Sequence, residues 1–91
     1  MLILITYDLK SDKDYNSLHE TIKGCSTTNK WWHYMESVWI ICTEMSVKEC
    51  NDIIRRHMDN NDLLFIVEIT NMTYQGWLPS KAWEWLGRNK S

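Results

Sequence analysis

Trp31-Trp32-His33-Tyr34-Met35-Glu36-Ser37-Val38-Trp39-Ile40-Ile41-Cys42-Thr43 is the stretch from which the fold can be read. Trp31 to Met35 and Val38 to Thr43 are rich in aromatic and β-branched residues. Only Glu36-Ser37 separates them, which predicts a β-hairpin with a tight connection. Along its second arm Val38 and Ile40 face one side while Trp39 and Ile41 face the other. Apolar residues on both faces place that arm in the interior of a sheet.

On the N-terminal side of the hairpin lies the polar loop Ser26 to Lys30. Before it Tyr15, Leu18, Ile22 and Cys25 recur at helical spacing, predicting a helix from Asp12 to about Cys25, with Ser11 or Asp12 as N-cap and Gly24 near its stop. The chain opens on a short apolar strand, Leu2 to Tyr7, that leaves the core at Asp8. On the C-terminal side Ser46-Val47-Lys48-Glu49 reads as a capping box. It starts a second helix whose apolar face is Val47, Cys50, Ile53 or Ile54, and His57 or Met58. Asp59-Asn60-Asn61-Asp62 breaks that helix before a strand from Leu63 to Thr70. Asn71 to Gly76 is loop, and Pro79 introduces a short helix from Ser80 to Leu86.

The hairpin is thus flanked on both sides by a strand and a helix. The order β-α-β-β-α-β with a short C-terminal helix predicts a single ferredoxin-like α+β domain over residues 1–91, its sheet in the order 4-1-3-2 and both helices on one face. The opposite face, carrying part of Leu2 to Ile5 and of Val38 to Ile41, must meet the C-terminal segment or a second subunit. A homodimer is the expectation. The chain is tryptophan-rich, with six in 91 residues. A domain of this size buries only ~60–65% of the surface its unfolded chain exposes, so some of these rings belong at an interface or a ligand.

Ten Lys and Arg against 12 Asp and Glu give a net charge of −2, with the cations scattered. This argues against a protein that grips duplex DNA through its phosphates. Three cysteines without CxxC spacing indicate neither a disulfide framework nor a zinc site. The opening apolar run is too short for a membrane span or a signal segment. Together these features lead to the expectation of a cytoplasmic protein that does not engage membranes.

In this topology strands one and three are expected to end at the same edge of the sheet, where strands two and four begin and both helix N-termini open, so Tyr7, Asp8, Lys10, Ser11, Lys30, Trp31, Thr43 and Ser46 converge on a single rim. Unpaired helix N–H groups favour anions, Lys10 and Lys30 add charge, and Trp31 or Trp32 offers a ring for stacking. His33 lies beside them. Tyr7, Asp8, Lys10, Ser11, Lys30, Trp31, Trp32 and His33 are therefore the candidate ligand-binding residues, for a nucleotide or short oligonucleotide. Adjacent strand residues point to opposite faces, so only one of Trp31 and Trp32 can join the site. Arg55-Arg56-His57, late in the second helix, reads as complementing the helix dipole.

Catalytic signatures are sparse. The sequence contains no P-loop, GxGxxG, HExxH or nucleophile elbow. His19-Glu20-Thr21 is the one His-x-Thr element, where two-histidine phosphodiesterases need two. A nuclease would depend on Asp8 as ligand of a divalent metal; otherwise no cofactor is implied.

Ile5-Thr6-Tyr7-Asp8 and Ser37-Val38-Trp39 resemble the Tyr-Asp and Ser-Val-Phe elements of the small CRISPR-associated adaptation nucleases. That resemblance implies a ferredoxin-like dimer, and of the family's metal site only Asp8 carries over. Tyr7-Asp8-Leu9, Trp31-Trp32-His33-Tyr34, Ser37 to Ile41, Gly76-Trp77-Leu78-Pro79 and Ala82 to Leu86 resemble the small bacterial and phage proteins labelled SinR-like. The leading expectation is a non-catalytic nucleotide-binding homodimer, which in a phage would serve anti-defence by sequestering a nucleotide immune signal. The alternatives are a metal-dependent nuclease using Asp8, and a protein-protein interaction module docking through Trp77, Trp83 and Trp85.

Overall fold

The computed structural model describes residues 1–10 and 15–89. Its elements are β1 (Leu2–Asp8), α1 (Tyr15–Cys25), β2 (Lys30–Met35), β3 (Val38–Cys42), α2 (Val47–Arg55), β4 (Leu63–Glu68) and α3 (Ser80–Arg88). The strands form one antiparallel sheet in the order β2-β3-β1-β4. This small α+β architecture is compatible with the ferredoxin-like fold. No helix among the described residues is long and apolar enough to cross a membrane.

Local chemistry explains the elements. The capping box forms as the sequence requires: Ser46 Oγ accepts from the Glu49 amide at 3.1 Å, and the Glu49 carboxylate accepts from the Ser46 amide at 3.0 Å. Asn29 takes φ 58° in the turn that delivers the chain to β2, a left-handed conformation that Asn tolerates better than most residues. The hairpin register shifts by one residue between Trp32 and Met35, a bulge that lets β2 bend over its neighbour. Several boundaries move: β4 ends at Glu68 and α2 at Arg55, while α3 runs on to Arg88. Beyond β4, Ile69 still donates its amide to Leu2 O at 2.9 Å. The predicted helix start at Asp12 and the Ser11 cap lie outside the described residues.

The sheet has two apolar faces. On one, Ile3, Ile5 and Tyr7 of β1 and Trp39 and Ile41 of β3 pack against Leu18, Ile22 and Cys25 of α1 and Cys50 and Ile54 of α2. All three cysteines are free and buried. On the other face Leu2, Trp32, Ile40 and Cys42 meet Ala82 and Leu86 of α3. Ala82 and Leu86 stand four residues apart on one helix stripe, and both are buried. The chain's own tail therefore covers one half of the second face. The other half stays open, with Leu63 and Phe65 of the edge strand β4 exposed by 58% and 64%.

Candidate functional site

The expected single rim does not exist. β1 pairs antiparallel with β3, Leu2 opposite Cys42 and Thr6 opposite Val38. The two strands therefore finish at opposite ends of the sheet, and α1 and α2, each following one of them, open at opposite ends too. A tight hairpin reverses β3 relative to β2, and β2 must parallel β1 for the crossover helix to cover the sheet. Tyr7, Asp8 and Lys10 consequently lie at one end; Lys30, Thr43 and Ser46 lie at the other. Ser11 lies outside the described residues.

At the first end Tyr7 is the centre of a polar cluster. Its hydroxyl accepts from Trp39 Nε1 at 3.3 Å, donates to Glu36 O at 3.4 Å and lies 3.3 Å from His19 Nε2. His33 Nε2 lies 3.0 Å from the same carbonyl; a carbonyl only accepts, so His33 carries its proton on Nε2. The His33 ring stacks on Trp39 at 3.9 Å and meets His19 edge-on at 5.1 Å. Tyr7, two histidines and Trp39 thereby tie the hairpin turn to α1. Burial pushes the Tyr7 phenol above its ordinary value and keeps it protonated. Burial, and then the charges of His33 and Lys23, hold His19 below its ordinary 6.5.

Neither sequence spacing nor motif signalled this cluster. His19 belongs to α1 and His33 to β2, and only the crossover brings them together. The available signal was the shared face of Trp31 and His33 on β2 and of Tyr15 and His19 on α1. A linkage consequence follows. His19 protonates more readily unfolded than folded, so stability is full above 6.5 and declines as the pH falls from there toward the lower folded value. Urea midpoints measured between pH 7.5 and 5 should fall for the wild type and fall less steeply for His19→Gln.

The same end is rich in carboxylates. Asp8 is exposed and ion-paired with Lys10 at 2.7 Å. Lys10 N donates to Asp62 Oδ1 at 3.0 Å, and Asp62 Oδ2 accepts from Asp59 N at 2.8 Å, so the buried Asp62 organises the loop before β4. A shallow cavity of about 160 Å³ is lined by Tyr7, Asp8, Leu9, Tyr15, Glu36 and Ser37. Among the described residues no group of three or more His, Cys, Asp or Glu side chains is placed to hold a metal ion.

At the second end the expected contributors divide again. Thr43 is buried, donating to Cys25 O at 2.6 Å and accepting from Met45 N at 3.0 Å; Ser46 is occupied as a cap. Trp32 is buried beneath α3, its Nε1 donating to Ala82 O at 3.3 Å, on the face of the sheet opposite Trp31. Trp31 points to the helix-bearing face, partly exposed, with Lys23 Nζ 4.7 Å from its ring centroid.

Of the expected residues that the structure describes, Lys30 lies in a cleft suited to an anion. It lines a cavity of about 450 Å³ with Trp85, Arg88 and Asn89 of the C-terminal segment. Among the described residues neither Lys30 nor Arg88 forms an ion pair. The Asn89 amide and Nδ2 both donate to Trp85 O, at 3.1 and 2.9 Å, which quenches a helix-terminal acceptor that would repel a phosphate. Arg88 was missed because α3 was expected to end at Leu86, and Trp85 was not placed beside Lys30 because the docking place of α3 was open.

A second, larger cavity of about 510 Å³ lies on the open half-face, between the sheet and residues 72–78. Leu4, Trp32, Val38, Val67 and Trp83 line it, and Trp77 stands wholly exposed at its rim. Trp83 stacks on Tyr74, ring centroids 6.4 Å apart. The cluster Trp77, Trp83 and Trp85 thus splits three ways: an exposed knob, a groove wall and the side of the cationic cleft. No protein-family model matches the chain, and no curated protein matches it either.

Proposed function

We propose that the chain is a non-catalytic binding module for a nucleotide or short oligonucleotide, held in the cleft of Lys30, Trp85, Arg88 and Asn89. The observation that carries this reading is a pair of cations that form no ion pair among the described residues and flank a half-buried indole. Lys30 and Arg88 suit phosphate oxygens, Arg88 in the bidentate manner of a guanidinium. Trp85 supplies a stacking surface worth ~1–3 kcal/mol per base. The Tyr7 end suits phosphate less well, since the exposed Asp8 and Glu36 would repel it.

A module that holds its ligand without cleaving it sequesters that ligand from other proteins. This is the behaviour expected of an anti-defence protein if the chain is phage-encoded. We also take the module to act as a homodimer, because half of one sheet face is apolar and uncovered.

Titration calorimetry and tryptophan quenching with linear and cyclic di- and trinucleotides test the binding. The wild type should bind, and Lys30→Ala with Arg88→Ala should weaken binding by ten-fold or more with an unchanged circular dichroism spectrum. Asp8→Asn should bind like the wild type, and the ligand should be recovered intact. No heat and no quenching with any of these ligands would overturn the proposal. Metal-dependent cleavage that disappears in Asp8→Asn would replace it with the nuclease reading.

A further inference from the structure

The open half-face has a specific shape, a groove with a knob at its rim. Trp77 is 100% exposed, an unusual position for the side chain with the largest apolar area. It adjoins a groove of about 510 Å³ walled by apolar side chains, among them Leu4, Val38 and Val67. Met35 and Met72, exposed by 50 and 58%, line it, and Phe65 and Leu63, exposed by 64 and 58%, continue from Val67 along the same face of β4. With Trp77 these five residues expose on the order of 700 Å² in all, most of it on apolar side chains, approaching the ~800 Å² per partner of a standard interface. A patch of that size exceeds what a typical monomer leaves to water.

Resting on the self-association proposed above, we infer that a second copy of this chain covers the open half-face, each copy seating its Trp77 in the groove of the other. The area of the patch is what a stable dimer needs from each side. The residues that line the groove are all uncharged, and Asp8, opposite Leu63 at the far end of the strip, is paired with Lys10, so two copies of a chain with net charge −2 can meet at the groove without like-charge contact. Knob and groove lie side by side on one surface. A single two-fold axis therefore satisfies both contacts and closes the assembly at two, where a knob and groove on separate faces would build a filament. The edge strand β4 borders the same patch, and the second copy shields it from uncontrolled strand pairing.

Sedimentation velocity on the full chain, read beside tryptophan emission, tests the interface. The wild type should be a dimer at micromolar concentration, with emission shifting to the blue as dilute protein is concentrated. Trp77→Ala removes the knob without touching the core, because the side chain is wholly exposed, and should weaken dimerisation at least ten-fold. Val67→Arg blocks the groove and should do the same. An equimolar mixture of the two variants retains one intact knob and groove, and should associate more tightly than either variant alone.

A wild type that stays monomeric would overturn both the self-association and this interface, including the case in which the groove takes up an apolar dye or peptide instead. A wild-type dimer that persists in Trp77→Ala would leave self-association standing and overturn the Trp77 exchange. So would a mixture that associates no better than its components. Should Val67→Arg fail to fold, the Trp77→Ala result decides alone.

Discussion

Trp39→Ala should lower the unfolding free energy by about 3–5 kcal/mol, the usual loss for a large aromatic removed from a core. Trp39 is 1% exposed, at the centre of the helix-bearing face, between Ile5 of β1 and the histidine cluster. The substitution removes the stacking partner of His33 and leaves the Tyr7 hydroxyl without its indole donor. A domain of this length holds only ~5–15 kcal/mol in total, so the variant should be partly unfolded at 37 °C. Urea denaturation followed by far-UV circular dichroism measures the loss. Trp39→Phe keeps most of the buried area and sacrifices the long hydrogen bond, and should cost about 1–2 kcal/mol. A loss below about 1 kcal/mol for the alanine variant would mean that the indole is not part of the core.

The second large effect belongs to the other face. Trp32→Ala should cost about 3–5 kcal/mol as well, but its consequences should be local. Trp32 joins the sheet to α3, clustered with Ala82 and Leu86 and bonded to Ala82 O. Without it α3 loses its seat, while the core of α1, α2 and the helix-bearing face keeps every contact. A nine-residue helix has little stability alone. Hydrogen exchange should show the α3 amides unprotected and those of β1 and β3 still protected, and proteases should cut between Gly76 and Pro79. Uniform loss of protection across the sheet would show instead that the two faces unfold as one unit.

The element order was legible because each element carries its own local signal. The capping box at Ser46, the helical spacing of Leu18, Ile22 and Cys25, and the alternating hairpin arms depend on neighbours a few residues apart. The antiparallel sheet followed from that order, since short connections and a right-handed crossover leave few topologies. The site was not legible in the same way. Placing Lys30 beside Asp8 needed the direction of every strand relative to its neighbour, and one wrong direction split the expected rim. Arg88 and Trp85 joined Lys30 only because α3 runs two residues further than expected and lies across β2. The His19 and His33 pair showed no motif because it is assembled across a crossover.

What the sequence by itself determined is the set of pieces: the strands, the helices, their caps, and a surplus of apolar surface too large for one side of a small sheet. Spacing and residue type decide these, and both act over one or two turns of chain. What only the tertiary structure decided is how the surplus is divided. α3 buries Trp32 against half of the second face, Trp39 fills the core on the first, and Trp77 is left in water beside an apolar groove. That division depends on where a helix docks in three dimensions, a balance of burial and chain geometry summed over residues far apart in sequence, such as Trp32 and Ala82, 50 positions apart, and Leu2 and Thr70, 68 apart.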